Sequence, residues 1–142
     1  MKKLLAILVA LTLALAGISA VAEEGKVTLS FLRIGNDEAE RAFWQWAIEA
    51  FEKENADVRI AYEEAPIGES MDTVLNTRFA SGEGVDLIGH GILSVAQRVE
   101  ANQYMAIDEY FDSWEGKDDI MPSVLAIGTY NGHVYGLGYS VT

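Results

Sequence analysis

The chain has no cysteine, so disulfides and thiolate-held metals are excluded and its stability must come from packing. Basic residues are scarce as well, ten against 22 acids, for a net charge of −12. Such a surface repels nucleic-acid phosphates and anionic lipid headgroups, and neither is expected as a partner. The two histidines, His90 and His133, lie far apart with no third nitrogen and no clustered carboxylates at ligand spacing. No metal or other cofactor is expected. Also missing are a Gly-x-Ser-x-Gly elbow, a P-loop and a complete Gly-x-Gly-x-x-Gly motif, which removes the usual signatures of hydrolase and nucleotide chemistry. Adjacent acids such as Glu63-Glu64 and Asp118-Asp119 are present, but a glycosidase needs two carboxylates held across a cleft. No enzyme is expected.

Long apolar runs are few, and the longest, Leu4 to Ala16, is interrupted only by Thr12. It is shorter than the ~20 residues that span a bilayer. Lys2 and Lys3 precede it and Ala20-Val21-Ala22 follows, which predicts a cleavable signal peptide over residues 1–22. Cleavage leaves eight bases against 22 acids, a net charge of −14. Leu15-Ala16-Gly17 matches the run before a lipidated cysteine, but position 18 is isoleucine. An exported protein is expected, soluble in the periplasm or outside the cell.

Past residue 26 the pattern has period two: Val27, Leu29 and Phe31 alternate with Thr28 and Ser30 as a first strand. Asp37, with Glu40 three residues on, is a capping-box signal for a helix to about Asn55. Phe43, Trp46, Ala47, Ala50 and Phe51 form its predicted buried stripe, with Trp44 off it. Val58, Ile60 and Tyr62 make a second strand, Met71 to about Gly82 a second helix, and Val85 to Ile88 a third strand. A third helix from about Leu93 to Asn102 follows, then a helix from Asp118 to Ile127. Asn131-Gly132 predicts a tight hairpin, and Gly136 to Val141 reads as strand-like. Alternating strands and helices predict an α/β fold, a three-layer doubly wound and mainly parallel sheet.

In such sheets ligands sit beyond the carboxyl ends of the strands, where the strand order reverses. That rule selects three loops: 33–37, 63–70 and 89–92. Arg33, Asn36 and Asp37 offer a guanidinium, an amide and a carboxylate, the groups that grip hydroxyls or carboxylates. The bland alternative is that Asn36 and Asp37 only cap the helix and Arg33 is a solvated surface charge. His90 lies between Gly89 and Gly91, Glu64 ends the second strand, and Tyr139 offers a ring face for stacking.

Several stretches occur in one order: Val27-Thr-Leu-Ser-Phe31, Phe51-Glu-Lys-Glu-Asn55, Asn76-Thr-Arg-Phe-Ala-Ser-Gly82 before Val85-Asp-Leu-Ile88, Ala106-Ile-Asp-Glu-Tyr110 and Tyr130 to Ser140. Together they resemble the N-terminal lobe of an extracellular solute-binding protein, from the sugar-binding family that serves ABC importers. Val85 and Gly138 stand where that family often has proline. The resemblance implies a type II-like periplasmic-binding-protein fold, with the N-terminal lobe at 23–135 and the start of a hinge crossover at 136–142. The second lobe would lie beyond the residues given.

It also implies a monomer that captures a carbohydrate, most simply an oligosaccharide, between two lobes and delivers it to a membrane permease. By residue matching, Arg33, Asn36, Asp37, Glu64, His90 and Tyr139 are the implied ligand-binding positions, and half a cleft is expected to bind poorly. Two rivals stand beside this reading. One is an exported binding protein for a polyamine, iron complex or peptide; the other is an exported glycoside hydrolase.

Overall fold

A computed structural model of the chain describes residues 25–35, 37–65, 71–89 and 95–138. The expected signal segment, 1–22, and the expected positions Asn36, His90 and Tyr139 lie outside those residues. Three strands form one parallel sheet: β1 (Val27–Ile34), β2 (Val58–Ala65) and β3 (Leu87–Gly89), in the order β2-β1-β3. Helix α1 (Glu38–Glu54) joins β1 to β2, and α2 (Met71–Ser81) joins β2 to β3. Beyond them come α3 (Val95–Glu100), α4 (Asp108–Ser113), a 3-10 turn at Lys117–Asp119, α5 (Pro122–Ile127) and the two short strands β4 (Thr129–Tyr130) and β5 (His133–Val134).

The two long helices cover opposite faces of the sheet. Successive strand residues point to alternate sides, and on one side Leu32 and Ala65 pack with Met71 and Leu75 of α2 as the core. On the other side Phe31 meets Trp44 of α1 edge to face, ring centroids 5.0 Å apart, and Tyr62 at 5.4 Å. These are the three expected layers, helix, sheet and helix.

Helix α1 sits differently from its predicted stripe. None of its residues is fully buried, and Trp46 is 65% exposed, with Phe43 and Phe51 also outward. Facing the sheet instead are Trp44 on Phe31, Arg41 on Glu64, and Glu52, whose carboxylate accepts from the Ile60 N–H at 2.7 Å. The helix is apolar over a wide arc, and two polar anchors at Arg41 and Glu52 decide which part of that arc turns inward.

The remaining departures have local causes. Pro122 opens α5 at its first position, where a missing N–H costs nothing. Met121, directly before it, is extended with ψ 132°, because proline disfavours helical geometry in its predecessor, and Ile120 is extended as well, with ψ 121°. The expected Asp118–Ile127 helix is therefore split in two. Strand β3 is displaced from the expected 85–88 to 87–89, since Asp86 turns its side chain to Ser30 instead of joining the ladder: the Ser30 N–H and hydroxyl donate to Asp86 Oδ2 at 2.8 and 2.7 Å.

The hairpin turn is as expected, with Asn131 at φ 50° and Gly132 at φ 85°, the positive angles that a type I′ turn requires. After it, residues 135–138 carry no strand pairing, so the described part of the Gly136–Val141 segment is not a strand. A Cβ at Gly138 would lie 2.6 Å from Val124 Cγ1, so close approach of α5 favours glycine there.

Candidate functional site

The last rung that spans all three strands, at the carboxyl edge of the sheet, sets Arg33 beside Glu64 on one neighbour and Gly89 on the other. All three residues share the α1 face of the sheet, by strand alternation with Phe31. This carboxyl edge is where sheets of this kind take their ligands, and α1 begins there, at Glu38.

Arg33 is 1% exposed. Its Nη1 and Nη2 both donate to Glu40 Oε2, at 2.8 and 2.7 Å, and its Nε donates to the Tyr62 hydroxyl at 3.3 Å. A buried guanidinium is tolerated only when paired and hydrogen-bonded, and this one is both. Room for it comes from glycine: a Cβ on Gly89 would stand 3.1 Å from Arg33 Cγ, and one on Gly35 would overlap the guanidinium itself.

Glu64 is the second centre of the cluster. Tyr62 donates to its Oε1 at 2.7 Å, while Arg41 donates to Oε2 through Nε at 2.8 Å and pairs through Nη2 at 2.7 Å. Arg33 Nη2 stands 3.7 Å from Oε1. Burial alone would raise the Glu64 carboxyl, but the hydrogen bonds from Tyr62 and Arg41 and both guanidinium charges outweigh it and hold it below its ordinary range. Burial, with the hydrogen bond to Glu64, pushes the Tyr62 hydroxyl up to about 12. At neutral pH Glu64 is an anion and Tyr62 a donor.

Asp37 caps α1, accepting from the Glu40 N–H at 2.8 Å. The Glu40 carboxylate, half-exposed, turns to Arg33, so the capping pair is bent to a second use. Of the expected positions, then, Arg33, Asp37 and Glu64 come together at one edge, Arg33 under the helix, Asp37 on its end and Glu64 tied to Arg41. Sequence reasoning missed Glu40, Arg41 and Tyr62. Tyr62 and Glu64 do share the strand parity that faces Arg33, and Glu40 is one turn past the strand end, a signal that only a fixed α1 rotation turns into contact.

A parallel arrangement braces the other face. Arg98 of α3 is 2% exposed, pairs with Asp72 at the start of α2, and donates to Asn76 at 2.9 Å and to Gln103 at 2.6 Å. It holds α3 against α2. His133 of β5 lies 3.3 Å from Asp108 at the start of α4. Among the described residues no three His, Asp or Glu side chains converge to hold a metal ion, and no helix is long and apolar enough to cross a membrane.

A family model for bacterial extracellular solute-binding proteins matches residues 35–141. Among solved structures, the chain is similar to an extracellular solute-binding protein of family 1 from Alicyclobacillus acidocaldarius, with 28% identity and a TM-score of 0.66 over 80% of this chain and 28% of that one. It is similar to the GacH receptor of Streptomyces glaucescens, solved unliganded and with acarbose, at 26% identity and a TM-score of 0.68 over 79% of this chain and 28% of that one. A protein from work on xylan utilization by Caldanaerobius polysaccharolyticus aligns at 27% identity and a TM-score of 0.63, over 78% of this chain and 28% of that one. The chain thus spans about 28% of the length of these solved relatives. No curated protein matches it.

Proposed function

The chain belongs to the bacterial extracellular solute-binding protein family, and from that premise we propose that it supplies the first lobe of a non-catalytic receptor for an ABC importer. Its solute is a carbohydrate, an oligosaccharide by preference, held between this lobe and a second one and handed to a membrane permease. Residues 1–22 act as the export signal, 23–135 as the lobe and 136–142 as the start of the crossover. The receptor works as a monomer.

The observation that carries this reading is the polar rung at the carboxyl edge of the β2-β1-β3 sheet, in a chain similar to a receptor solved with acarbose. Charged groups locked by each other, at the edge where such sheets take their ligands, suit the hydroxyls of a sugar, which need fixed donors and acceptors. Arg33, Asn36, Asp37, Glu64, His90 and Tyr139 build this half of the cleft, some by contact and some by support. Closure over the sugar is a hinge motion.

A thermal-shift series on the full gene product tests the proposal, with acarbose and xylotriose set against spermidine, a ferric chelate and a short peptide. Binding to the folded state alone stabilises by about 2.7 kcal/mol at a ligand concentration of 100 Kd. We expect a rise in melting temperature with at least one of the two sugars. A shift with spermidine, the chelate or the peptide and none with either sugar would overturn the carbohydrate assignment.

A further inference from the structure

We infer that Glu40 is a sugar-contacting residue of this receptor and that the buried Arg33 is its positioning residue, an inference that rests on the carbohydrate reading above. Arg33 has no surface to offer a solute: its three nitrogens are committed to Glu40 and Tyr62, and it is closed over from both sides. Glu40 does have one. Its side chain is 49% exposed, and both Nη groups of Arg33 bond the same oxygen, Oε2. For Oε1 no partner occurs among the described residues.

A glutamate on the first turn of a helix needs no buried arginine to satisfy it, because water would do so. The chain nonetheless encloses a guanidinium beneath it, omits side chains at Gly35 and Gly89 to make room, and braces the assembly with Tyr62, Glu64 and Arg41. What this framework delivers at the surface is one carboxylate with its rotamer set. A free glutamate loses side-chain freedom when it grips a ligand, and one already held does not. An ionised carboxylate is the strong acceptor for hydroxyl donors, and this one stands at the first turn after the carboxyl end of the central strand, beside Asp37.

The test is a double-mutant cycle on affinity for acarbose and xylotriose, measured by titration calorimetry on the full gene product, with melting temperatures alongside. Replacing Glu40 by glutamine should weaken binding about 10- to 100-fold, the range for a hydrogen bond to a charged group. It should also lower the melting temperature, because the buried Arg33 loses the charge of its nearest partner; titrations are therefore run well below the melting temperature of the variant. Arg33→Lys keeps the charge but loses the fork, and should weaken binding by a similar factor. The double variant R33K/E40Q should bind no worse than E40Q alone, since both changes disable one contact. Should R33K fail to fold, E40Q and E40A carry the test. Wild-type affinity in E40Q would overturn the role of Glu40 alone. A wild-type protein that binds neither sugar would overturn the carbohydrate reading and this inference with it.

Discussion

Asp86 ties the third strand to the first through one oxygen. Its Oδ2 accepts from the Ser30 N–H and hydroxyl, and its own N–H donates back to Ser30 Oγ at 3.0 Å. The Ser30 backbone hydrogen bond, more than the hydroxyl, holds the Asp86 carboxyl below its ordinary value of 3.8. A carboxyl with a depressed folded pKa contributes stability above its unfolded pKa and loses it as pH falls through the folded value. Asp86→Asn should therefore cost about 1 kcal/mol at pH 7, at the low end because the site is exposed. That deficit should shrink as pH drops below about 3.8. Urea melts of both proteins at pH 7 and pH 3 measure it, and an unchanged gap would mean that the charge is not the cause. Nothing in Val85-Asp86-Leu87-Ile88 announces this bond, because Ser30 lies 56 residues away.

At the scale of elements, α1 separates what periodicity can and cannot tell. Its existence and its cap were legible: Asp37 is the N-cap, and Asn55, close to the expected end, is the C-cap. Its rotation was not. Counting apolar residues at helical spacing selects Trp46, whereas the sheet receives Trp44, because Arg41 and Glu52 find partners on β2. Trp44→Ala should cost ~2 kcal/mol, below the range for a fully buried tryptophan because Trp44 is partly exposed. Trp46→Ala should stay within about 0.5 kcal/mol. Denaturant melts of the two variants decide between the stripes, and equal costs would refute the rotation described above. The split of the Asp118–Ile127 helix was readable in principle, since Pro122 marks a helix start.

At the scale of the whole molecule, the acid excess acts against compactness. A net charge of −12 repels itself, and the Debye length falls from about 30 Å at 0.01 M salt to about 8 Å at 0.15 M. The ion pairs of Arg33 and Arg98 are buried on the arginine side and are screened less. Raising sodium chloride from 10 to 150 mM should therefore raise the melting temperature by a few degrees in calorimetry. A fall would show that surface ion pairs outweigh the net repulsion.

The order and kind of the elements, the three layers and the carboxyl edge of the sheet follow from local properties that a sequence carries openly: period, caps, turn residues and the handedness of parallel crossovers. Family membership follows from the same ordered stretches. Which side chains meet does not, because contact depends on how each helix is rotated over the sheet. Arg33 and Glu40 are seven residues apart, and Tyr62 and Glu64 belong to another strand. Packing α1 across β1 and β2 turns these scattered charges into one network, buries an arginine that looks exposed in the sequence, and leaves a glutamate that looks like a cap facing outward.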